Sequence, residues 1–495
     1  MTTPTTFDRR KFIKTAAVAG SAAVGATSLS SCSKGSDKLT MATVTEKGQI
    51  DSDAFYKKWL ATFTKRTGIE VELRTYPFDQ YANSVQLLFS QNSAPDVFRS
   101  AGTDIAHPVP YVRGWEKPLT KYATDKWKSN WPDGSFQPKI SGLHVGNELY
   151  AAPFASNGGC RELYCNSQVM EKYGVTEPPK TWSEFEDAVL KITTDSKRSV
   201  FGYYPIGGAT EAELQSTSGP ALSGLGPSAV NLTTGKADAA NPQMVKLMNM
   251  LQGLNSSGAF LTGWESKQGQ QSEQMWAALA EGKVAMAIGS NWYYREMLRL
   301  KSDIPLEMVS APVPDEGRAG YNAKPSVFLP FWHMGARTEA PESAWKLIEF
   351  LSSPEVMIAY YKIARRNPPA LPKAKFADIT DKWDDKMFEI QAKTTRLGPS
   401  PMMHTVNAAS VQGKITAAQP QPVFADMQTL SMTRKKEKYD YASTATNFDT
   451  AYEKVIDEQI AKAGLDDVTR DTFVFSDWDP LKDYTPEGVT QPDWD

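Results

Sequence analysis

Residues 39–73 read LTMATVTEKGQIDSDAFYKKWLATFTKRTGIEVEL and contain an extended segment, a helical segment and a second extended segment, in that order. Residues 39–45 alternate weakly between apolar and polar side chains, which favours a strand. Aromatic residues recur at every fourth position within 53–66, and Gly68 suits the end of such a helix. Residues 69–73 alternate again. A strand, a helix and a strand in succession predict an α/β fold.

The same alternation of element types continues along the chain. Thr181 and Glu184 have the spacing of a capping box, which predicts a helix start before Phe185. The sequence further predicts strands within 94–98, 149–153, 163–165 and 284–288, and helices over 81–89, 243–254, 271–280, 343–351 and 447–462.

Length and composition exclude several classes of protein. The chain has 495 residues, a net charge of −3 and 41% hydrophobic residues, which are values of a globular protein rather than a disordered one. The near-neutral charge argues against nucleic-acid binding, since such proteins carry a basic excess. Three cysteines are too few for a disulfide scaffold. The length predicts roughly two or three lobes.

The first 32 residues read as an export signal followed by a lipid attachment site. Residues 8–14 (DRRKFIK) resemble the twin-arginine export motif, and residues 15–29 are weakly apolar. Leu29-Ser30-Ser31-Cys32 resembles a lipobox. We therefore expect residues 1–31 to be a signal peptide, Cys32 to be lipidated and residues 32–38 to be a tether, which places an exported protein on a membrane surface. The alternative is a plain signal peptide in which Cys32 is incidental.

The charge of the chain is concentrated near its C-terminus. Residues 1–31 carry +3, so the remainder carries −6, and residues 466–495 alone carry −7. This composition predicts a solvated, partly ordered acidic tail. A partner-docking or metal-binding segment is the alternative, although no calcium-binding loop spacing is present.

No catalytic or metal-binding motif emerges from the sequence. The four histidines form no H-E-x-x-H spacing, and neither a G-x-S-x-G elbow nor a phosphate-binding glycine loop occurs. We therefore expect no metal, no cofactor and no enzymatic activity. A pair of carboxylates of the glycosidase type could still be assembled by the fold. An extended segment would hold Cys160 and Cys165 too far apart for a disulfide, so we expect free thiols.

Several segments resemble, in order, the extracellular solute-binding proteins of carbohydrate ABC transporters. The most specific is Pro178 to Phe185 (PPKTWSEF), which is similar to that family's "pPkTWdEf" motif. The others are Phe63 to Val71, Ala94 to Val97 (APDV), Gly146 to Pro153 (GNELYAAP), Leu163 to Asn166 (LYCN), Glu281 to Met286 (EGKVAM) and Ser343 to Ser353. Together they extend from about residue 60 to residue 360.

This resemblance implies a periplasmic-binding-protein-like α/β fold, with two α/β lobes joined by crossover hinge segments and a ligand cleft between them. It implies a monomer that captures a carbohydrate and delivers it to the transmembrane subunits of an ABC permease. The expected division is residues 39–155 and 332–395 in lobe 1, residues 156–331 and 396–465 in lobe 2, and residues 466–495 as the tail.

The resemblance also implies candidate ligand-binding residues, because sugars offer flat apolar faces to aromatic rings and hydroxyl rims to polar groups. Trp292 follows the EGKVAM strand where the family places a stacking aromatic residue. The full set of candidates is Glu46, Lys47, Asp79, Ser100, Arg161, Tyr204, Asn291, Trp292 and Trp332. For each aromatic candidate, packing in the core is the alternative.

Two other functions remain open at this point. A binding protein for a non-sugar solute, such as a polyamine or a phosphodiester, would have a charged cleft with few stacking aromatic residues. A secreted glycan-processing enzyme would have two cleft carboxylates at the separations that glycosidases use.

Overall fold

The structure is a computed structural model of the whole chain. It describes residues 38–45, 52–101, 108–156, 161–205, 229–261, 271–324, 326–329, 331–365, 367–433, 439–490 and 492. The predicted export signal, Cys32 and most of the predicted tether lie outside these ranges, as do Glu46, Lys47 and Cys160. Within the described ranges, no helix has both the length and the apolar composition needed to cross a membrane.

Short strands occur throughout the described chain. They are β1 (Lys38–Thr45), β2 (Glu70–Pro77), β3 (Val97–Arg99), β4 (Glu116–Lys117), β5 (His144–Val145), β6 (Glu148–Leu149), β7 (Ala151–Pro153), β8 (Arg161–Asn166), β9 (Phe201–Tyr203), β10 (Val230–Asn231), β11 (Lys236–Ala237), β12 (Val284–Ser290), β13 (Leu306–Ser310), β14 (Asn322–Lys324), β15 (Phe331–Gly335) and β16 (Thr395–Leu397).

Helices separate most of these strands. They are α1 (Ser52–Thr67), α2 (Phe78–Ser90), α3 (Val109–Val112), α4 (Asp125–Lys128), α5 (Pro138–Ser141), α6 (Ser167–Lys172), α7 (Trp182–Asp195), α8 (Pro242–Ser256), α9 (Gln271–Ala280), α10 (Tyr293–Leu300), α11 (Pro341–Leu351), α12 (Pro354–Ala364), α13 (Lys382–Thr394), α14 (Ala408–Ala417), α15 (Phe424–Thr433) and α16 (Tyr441–Ala463).

Lobe 1 is built on a sheet of six strands in the order β2-β1-β3-β15-β4, with β7 also paired to β15. Strand β1 is parallel to β2 and β3, and β15 is antiparallel to β3. Side chains of β1 alternate between two cores: Leu39 and Met41 belong to one, and Ala42 and Val44 to the other. Each face of this sheet is therefore covered by its own core, because successive side chains of a strand point to opposite faces.

Lobe 2 is built on a second sheet, in the order β13-β8-β12-β9. Strand β8 is antiparallel to both β12 and β13, whereas β12 is parallel to β9. Every residue of β12 from Val284 to Gly289 is buried, which explains its continuous run of small and apolar side chains. Cys165 of β8 is a free thiol in this core, and burial raises its pKa.

In the part of the chain that the structure describes, three segments cross between the sheets, and they bond to one another. The backbone N–H of Ser156 in the first crossing donates to the carbonyl of Pro368 in the third, at 2.9 Å. The backbone N–H of Leu329 in the second crossing donates to the carbonyl of Ala155, also at 2.9 Å. The crossings therefore form one bonded strip rather than three separate linkers.

Most elements predicted from the sequence occur close to their expected positions. The capping box is formed, with Thr181 accepting from the Glu184 backbone and Glu184 accepting from the Thr181 backbone. Helix α16 begins at Tyr441, six residues before its predicted start, and Gly464 ends it in the left-handed conformation. Residues 206–228 lie outside the described ranges.

Two segments differ from the expected division into lobes. Residues 382–394, expected in lobe 1, form α13, whose Met387 and Ile390 join the core of the second sheet. The acidic segment after residue 466 is not a solvated tail, because its Phe473, Phe475 and Trp478 are buried in that same core. The charged residues of this segment lie between the buried aromatic residues, so the net charge of the segment gave no sign that part of it is buried.

A buried carboxylate joins helices from both lobes. Asp384, in the first turn of α13, is 0% exposed. It accepts hydrogen bonds from Tyr361 of α12 at 2.9 Å and Tyr294 of α10 at 3.2 Å, and it forms an ion pair with Arg365 at the end of α12. Burial raises the pKa of Asp384, and the Arg365 guanidinium opposes that rise. This four-residue cluster, Tyr294, Tyr361, Arg365 and Asp384, is called the junction cluster below.

Removing the junction carboxylate should destabilise the fold strongly. Asp384→Ala leaves the buried Arg365 guanidinium without its counter-charge, so we expect the free energy of unfolding to fall by about 3–5 kcal/mol. Urea denaturation followed by tryptophan fluorescence measures this loss.

The neighbouring residue is a matched control. Asp385 sits on the same helix but forms only an exposed ion pair with Lys373, at 3.3 Å. Asp385→Ala should change stability by less than about 1 kcal/mol. Equal effects of the two substitutions would contradict the role assigned to Asp384.

A second carboxylate, partly buried in lobe 2, is expected to give the fold a pH dependence. Asp449 of α16 accepts the backbone N–H groups of Ala239 and Ala240, each at 2.9 Å. Burial nevertheless raises the pKa of Asp449 to about 6, and the nearby Asp238 and Glu453 add to the rise. The folded state therefore binds this proton more tightly than the unfolded chain, whose aspartates titrate near about 3.9.

Because the pKa of Asp449 is higher in the folded state, this group stabilises the protein at low pH, and that stability is lost as pH rises through about 6. In the wild type, the free energy of unfolding should therefore fall by roughly 1–2 kcal/mol from this group between about pH 5 and pH 7.5. Asp449→Asn should abolish that fall. Denaturation curves at both pH values measure it, with the exposed Asp457→Asn on the same helix as control. An unchanged pH slope in Asp449→Asn would refute the assignment.

Candidate functional site

The edges of the two sheets that adjoin the crossings carry the candidate site. In lobe 1, β1 and β3 are parallel, so their carboxyl ends lie on one edge. The backbone N–H of Ser100, just after β3, donates to the Phe331 carbonyl at the start of β15, at 2.9 Å. In lobe 2, Arg161 at the start of β8 pairs with Ser290 at the end of β12. Carboxyl ends of strands are where open α/β sheets hold ligands.

Trp292 lies directly after β12 and is held by other aromatic rings. Its ring meets the Tyr293 ring at 4.6 Å and the Trp276 ring at 5.6 Å, both edge to face. The close approach of Tyr293 to the strand requires Gly289, where a Cβ atom would lie 2.3 Å from the Tyr293 ring. Trp292 is half-buried, so part of its ring stays accessible while its orientation is fixed.

The open side of Trp292 faces a cavity of about 360 Å³ between the lobes. Lobe 2 contributes α10, and lobe 1 contributes Ile363 and Ala364 at the end of α12. Trp383 and Asp381, at the start of α13, complete the wall. The cavity therefore combines two indole rings with polar groups from both sides, which suits a ligand with apolar faces and a polar rim.

Charged side chains of α10 line this first cavity in a fixed arrangement. Glu296 is buried and accepts from the Arg299 Nε at 2.9 Å. Arg295 extends across the boundary, where its Nη1 donates to the Ile363 carbonyl at 3.4 Å. Side chains of both signs of charge therefore line this cavity.

A larger cavity, of about 730 Å³, lies on another side of the boundary between the lobes. One wall is the segment from Gln137 to Asn147 of lobe 1, which includes His144. The Ser141 hydroxyl lies 2.8 Å from the His144 Nδ1. The opposite wall is the loop 400–406, and residues 487–489 of the acidic segment form a third side.

Four candidate residues from the sequence are core residues in this structure. Trp332 is 0% exposed and packs against the Tyr56 and Phe154 rings. Ser100 and Tyr204 are also buried, and the Tyr204 hydroxyl donates to the Gln274 side chain at 3.1 Å. Asn291 is buried with its amide 3.1 Å from the Met387 sulfur. None of these four offers a ligand an open surface in this conformation.

The other candidates lie at the sheet edges. Arg161 is partly exposed beside Ser290, and Trp292 is half-open, as described above. Asp79 belongs to the first turn of α2, but its side chain is outside the described residues, as are Glu46 and Lys47 entirely. Their part in ligand binding stays a prediction.

Sequence reasoning missed the polar residues that lie between the lobes. Asp384, Arg295 and Gln137 have bonding partners that are distant in sequence, and neither Arg295 nor Gln137 belongs to a motif. The only available signal was the capping-box spacing of Asp381 and Asp384, which marks the start of α13. Among the residues described, no three His, Cys, Asp or Glu side chains are grouped so as to hold a metal ion.

Comparison with known sequences identifies relatives of one kind. A model of the bacterial extracellular solute-binding protein family matches residues 58–388. A probable ABC transporter-binding protein of Deinococcus radiodurans is 26% identical over 243 residues, which cover 48% of this chain and 54% of the relative. A putative binding protein of Brucella abortus is 21% identical over 240 residues, with the same coverage. The chain thus spans about half the length of the curated relatives it matches.

Comparison with solved structures shows the fold. The GacH receptor of Streptomyces glaucescens, solved unliganded and with acarbose, superposes with a TM-score of 0.64 at 17% identity, over 85% of this chain and 98% of that one. Maltose-bound MalE3 of T. maritima superposes with a TM-score of 0.61 at 18% identity, over 84% of this chain and 99% of that one. The predicted periplasmic-binding-protein-like α/β fold is confirmed.

Proposed function

We propose that this chain, which belongs to the bacterial extracellular solute-binding protein family, captures a sugar or oligosaccharide between its lobes for an ABC importer. The family expected from the sequence motifs is thereby confirmed. The ligand, the permease and the delivery step are the proposal. Closure of the lobes around the ligand would be a hinge motion about the three crossings.

The observation that carries the proposal is the placement of Trp292. Its ring is oriented by Trp276 and Tyr293 and faces an interlobe cavity that also contains Trp383. An indole face fits the apolar face of a pyranose ring, and the Arg295 and Asp381 groups beside it can bond the hydroxyl rim. A cleft for a polyamine or a phosphodiester would place charges of one sign there instead.

The fold of sugar-binding proteins is consistent with this ligand class. The GacH receptor was solved with acarbose, MalE3 with maltose, and a third similar structure, a cyclo/maltodextrin-binding protein, with maltotetraose. At 17–18% identity, the bound sugars are properties of those proteins. For this chain they guide only the choice of compounds to test.

Export and membrane attachment complete the proposal. The arginine pair at residues 9–10 and the lipobox ending at Cys32 support translocation followed by lipidation. We infer that the N-terminal lipid anchors a monomeric binding protein to the membrane, close to its permease. Binding without catalysis is the function proposed for the cleft, and the absence of turnover when glycans are incubated with the protein would test that part.

Replacement of Trp292 should abolish sugar binding while leaving the fold intact. A ligand at 100 times its Kd stabilises the protein by about 2.7 kcal/mol, so binding appears as a rise in melting temperature. We expect such a rise for at least one of maltose, maltotetraose, acarbose and tagatose, and none for spermidine or glycerophosphocholine. Trp292→Ala should lose the rise.

Stability of the unliganded variants separates a ligand contact from a core residue. Trp292→Ala removes two edge-to-face contacts of about 0.5–1.5 kcal/mol each. Trp332→Ala, the matched control, should cost about 3–5 kcal/mol because that ring is wholly buried. A rise with spermidine or glycerophosphocholine alone, or no rise with any sugar, would overturn the proposed ligand class.

A further inference from the structure

The acidic C-terminal segment is anchored first in lobe 2. Residues 466–490 are called the strap here. Phe473, Phe475 and Trp478 are each at most 4% exposed and belong to the core of the second sheet. The backbone N–H of Phe475 donates to the Leu232 carbonyl at 2.7 Å. The first part of the strap is therefore packed into the core of lobe 2.

The strap next follows β14 and β16, the two short strands beside the crossings. The backbone N–H of Leu397 donates to Asp483 Oδ1 at 2.6 Å, and the N–H of Tyr484 donates back to the Leu397 carbonyl at 2.8 Å. The N–H of Tyr321 donates to the Pro480 carbonyl at 3.2 Å. These bonds lead the strap from lobe 2 toward lobe 1.

The last part of the strap bonds to lobe 1. The backbone N–H of Thr490 donates to Gln137 Oε1 at 2.9 Å, and Gln137 Nε2 donates to the carbonyls of Thr490 and Gly134. Gly134 has a φ of +82°, and a Cβ atom there would lie 3.0 Å from the Thr490 oxygen. Gln137 directly precedes α5, whose Ile140 is buried, so this partner is a fixed part of lobe 1.

The strap also shapes the larger interlobe cavity from two sides. Residues 487–489 line it directly. The loop on the opposite wall is held by the strap as well, because the Asp467 carboxylate accepts from Thr405 and Asn407. The His404 ring stacks on Phe475 with a centroid distance of 4.6 Å. Moving the strap would therefore move two of the three walls.

We propose that the strap is a fourth connection between the lobes, closed by the Gln137–Thr490 pair, and that it limits their separation beside the larger cavity. The three crossings are continuous chain, whereas this link consists of hydrogen bonds that can open and reform. The strap thus acts as a releasable tether. This inference concerns the movement of the lobes and does not depend on which ligand the cleft accepts.

Hydrogen exchange and a distance measurement test the tether in the full-length, unliganded protein. Gln137→Ala removes both side-chain bonds to Thr490, and Gln168→Ala, at an exposed position on α6, is the control. We expect the Thr490 amide to exchange about tenfold faster in Gln137→Ala than in the control, because it loses the Gln137 acceptor.

Spin labels on Lys65→Cys of α1 and Lys454→Cys of α16, with Cys32 and Cys160 changed to serine, report the separation of the lobes. Their distance distribution, measured by pulsed electron paramagnetic resonance, should broaden toward longer distances in Gln137→Ala and not in Gln168→Ala. A Thr490 amide that already exchanges at the rate of an unfolded chain in the wild type, or identical distance distributions in all three proteins, would overturn the proposal. A failure to bind sugars would refute the proposed function and leave this result unaffected.

Discussion

The buried charge of Asp384 constrains how the two halves of the molecule meet. A carboxylate without exposed surface must be compensated where it lies, and its partners come from α10 in lobe 2 and from α12 in lobe 1. Because two hydroxyl groups and a guanidinium converge on it, a shift of either helix alone would break these bonds. The third crossing ends at α13, so the position of the hinge is tied to this charge.

The candidate site adjoins the junction cluster. Tyr294 bonds to Asp384 from α10, the same helix that begins next to Trp292 and carries Arg295. The first cavity therefore shares a helix with the junction cluster, and a ligand against Trp292 would contact an element that cannot move without disturbing it. On the other side of the boundary the strap adds hydrogen bonds that are individually weak. A rigid junction and a releasable link are together suited to lobes that close around a ligand.

Much of the fold was predictable because its signals are local. The 3.6-residue period around Trp59, the alternation of β2 and the capping box at Thr181 each depend on neighbours within a few residues, and each produced the expected element. The candidate site was less predictable. The sequence does not distinguish Trp292 from Trp332, yet Trp292 borders a cavity and Trp332 is buried in a core. Exposure depends on which distant segments cover a ring, and no local pattern records that.

The sequence by itself determined the α/β class and the family, because periodicity and motif order are properties of contiguous chain. Only the tertiary structure decided the placement of α13 and the fate of the acidic segment. In both cases a few apolar residues, such as Met387 or Phe475, joined a core built from remote elements. Burial of those side chains outweighs the solvation of the charges between them, since the carboxylates stay at the surface while the rings are withdrawn from water.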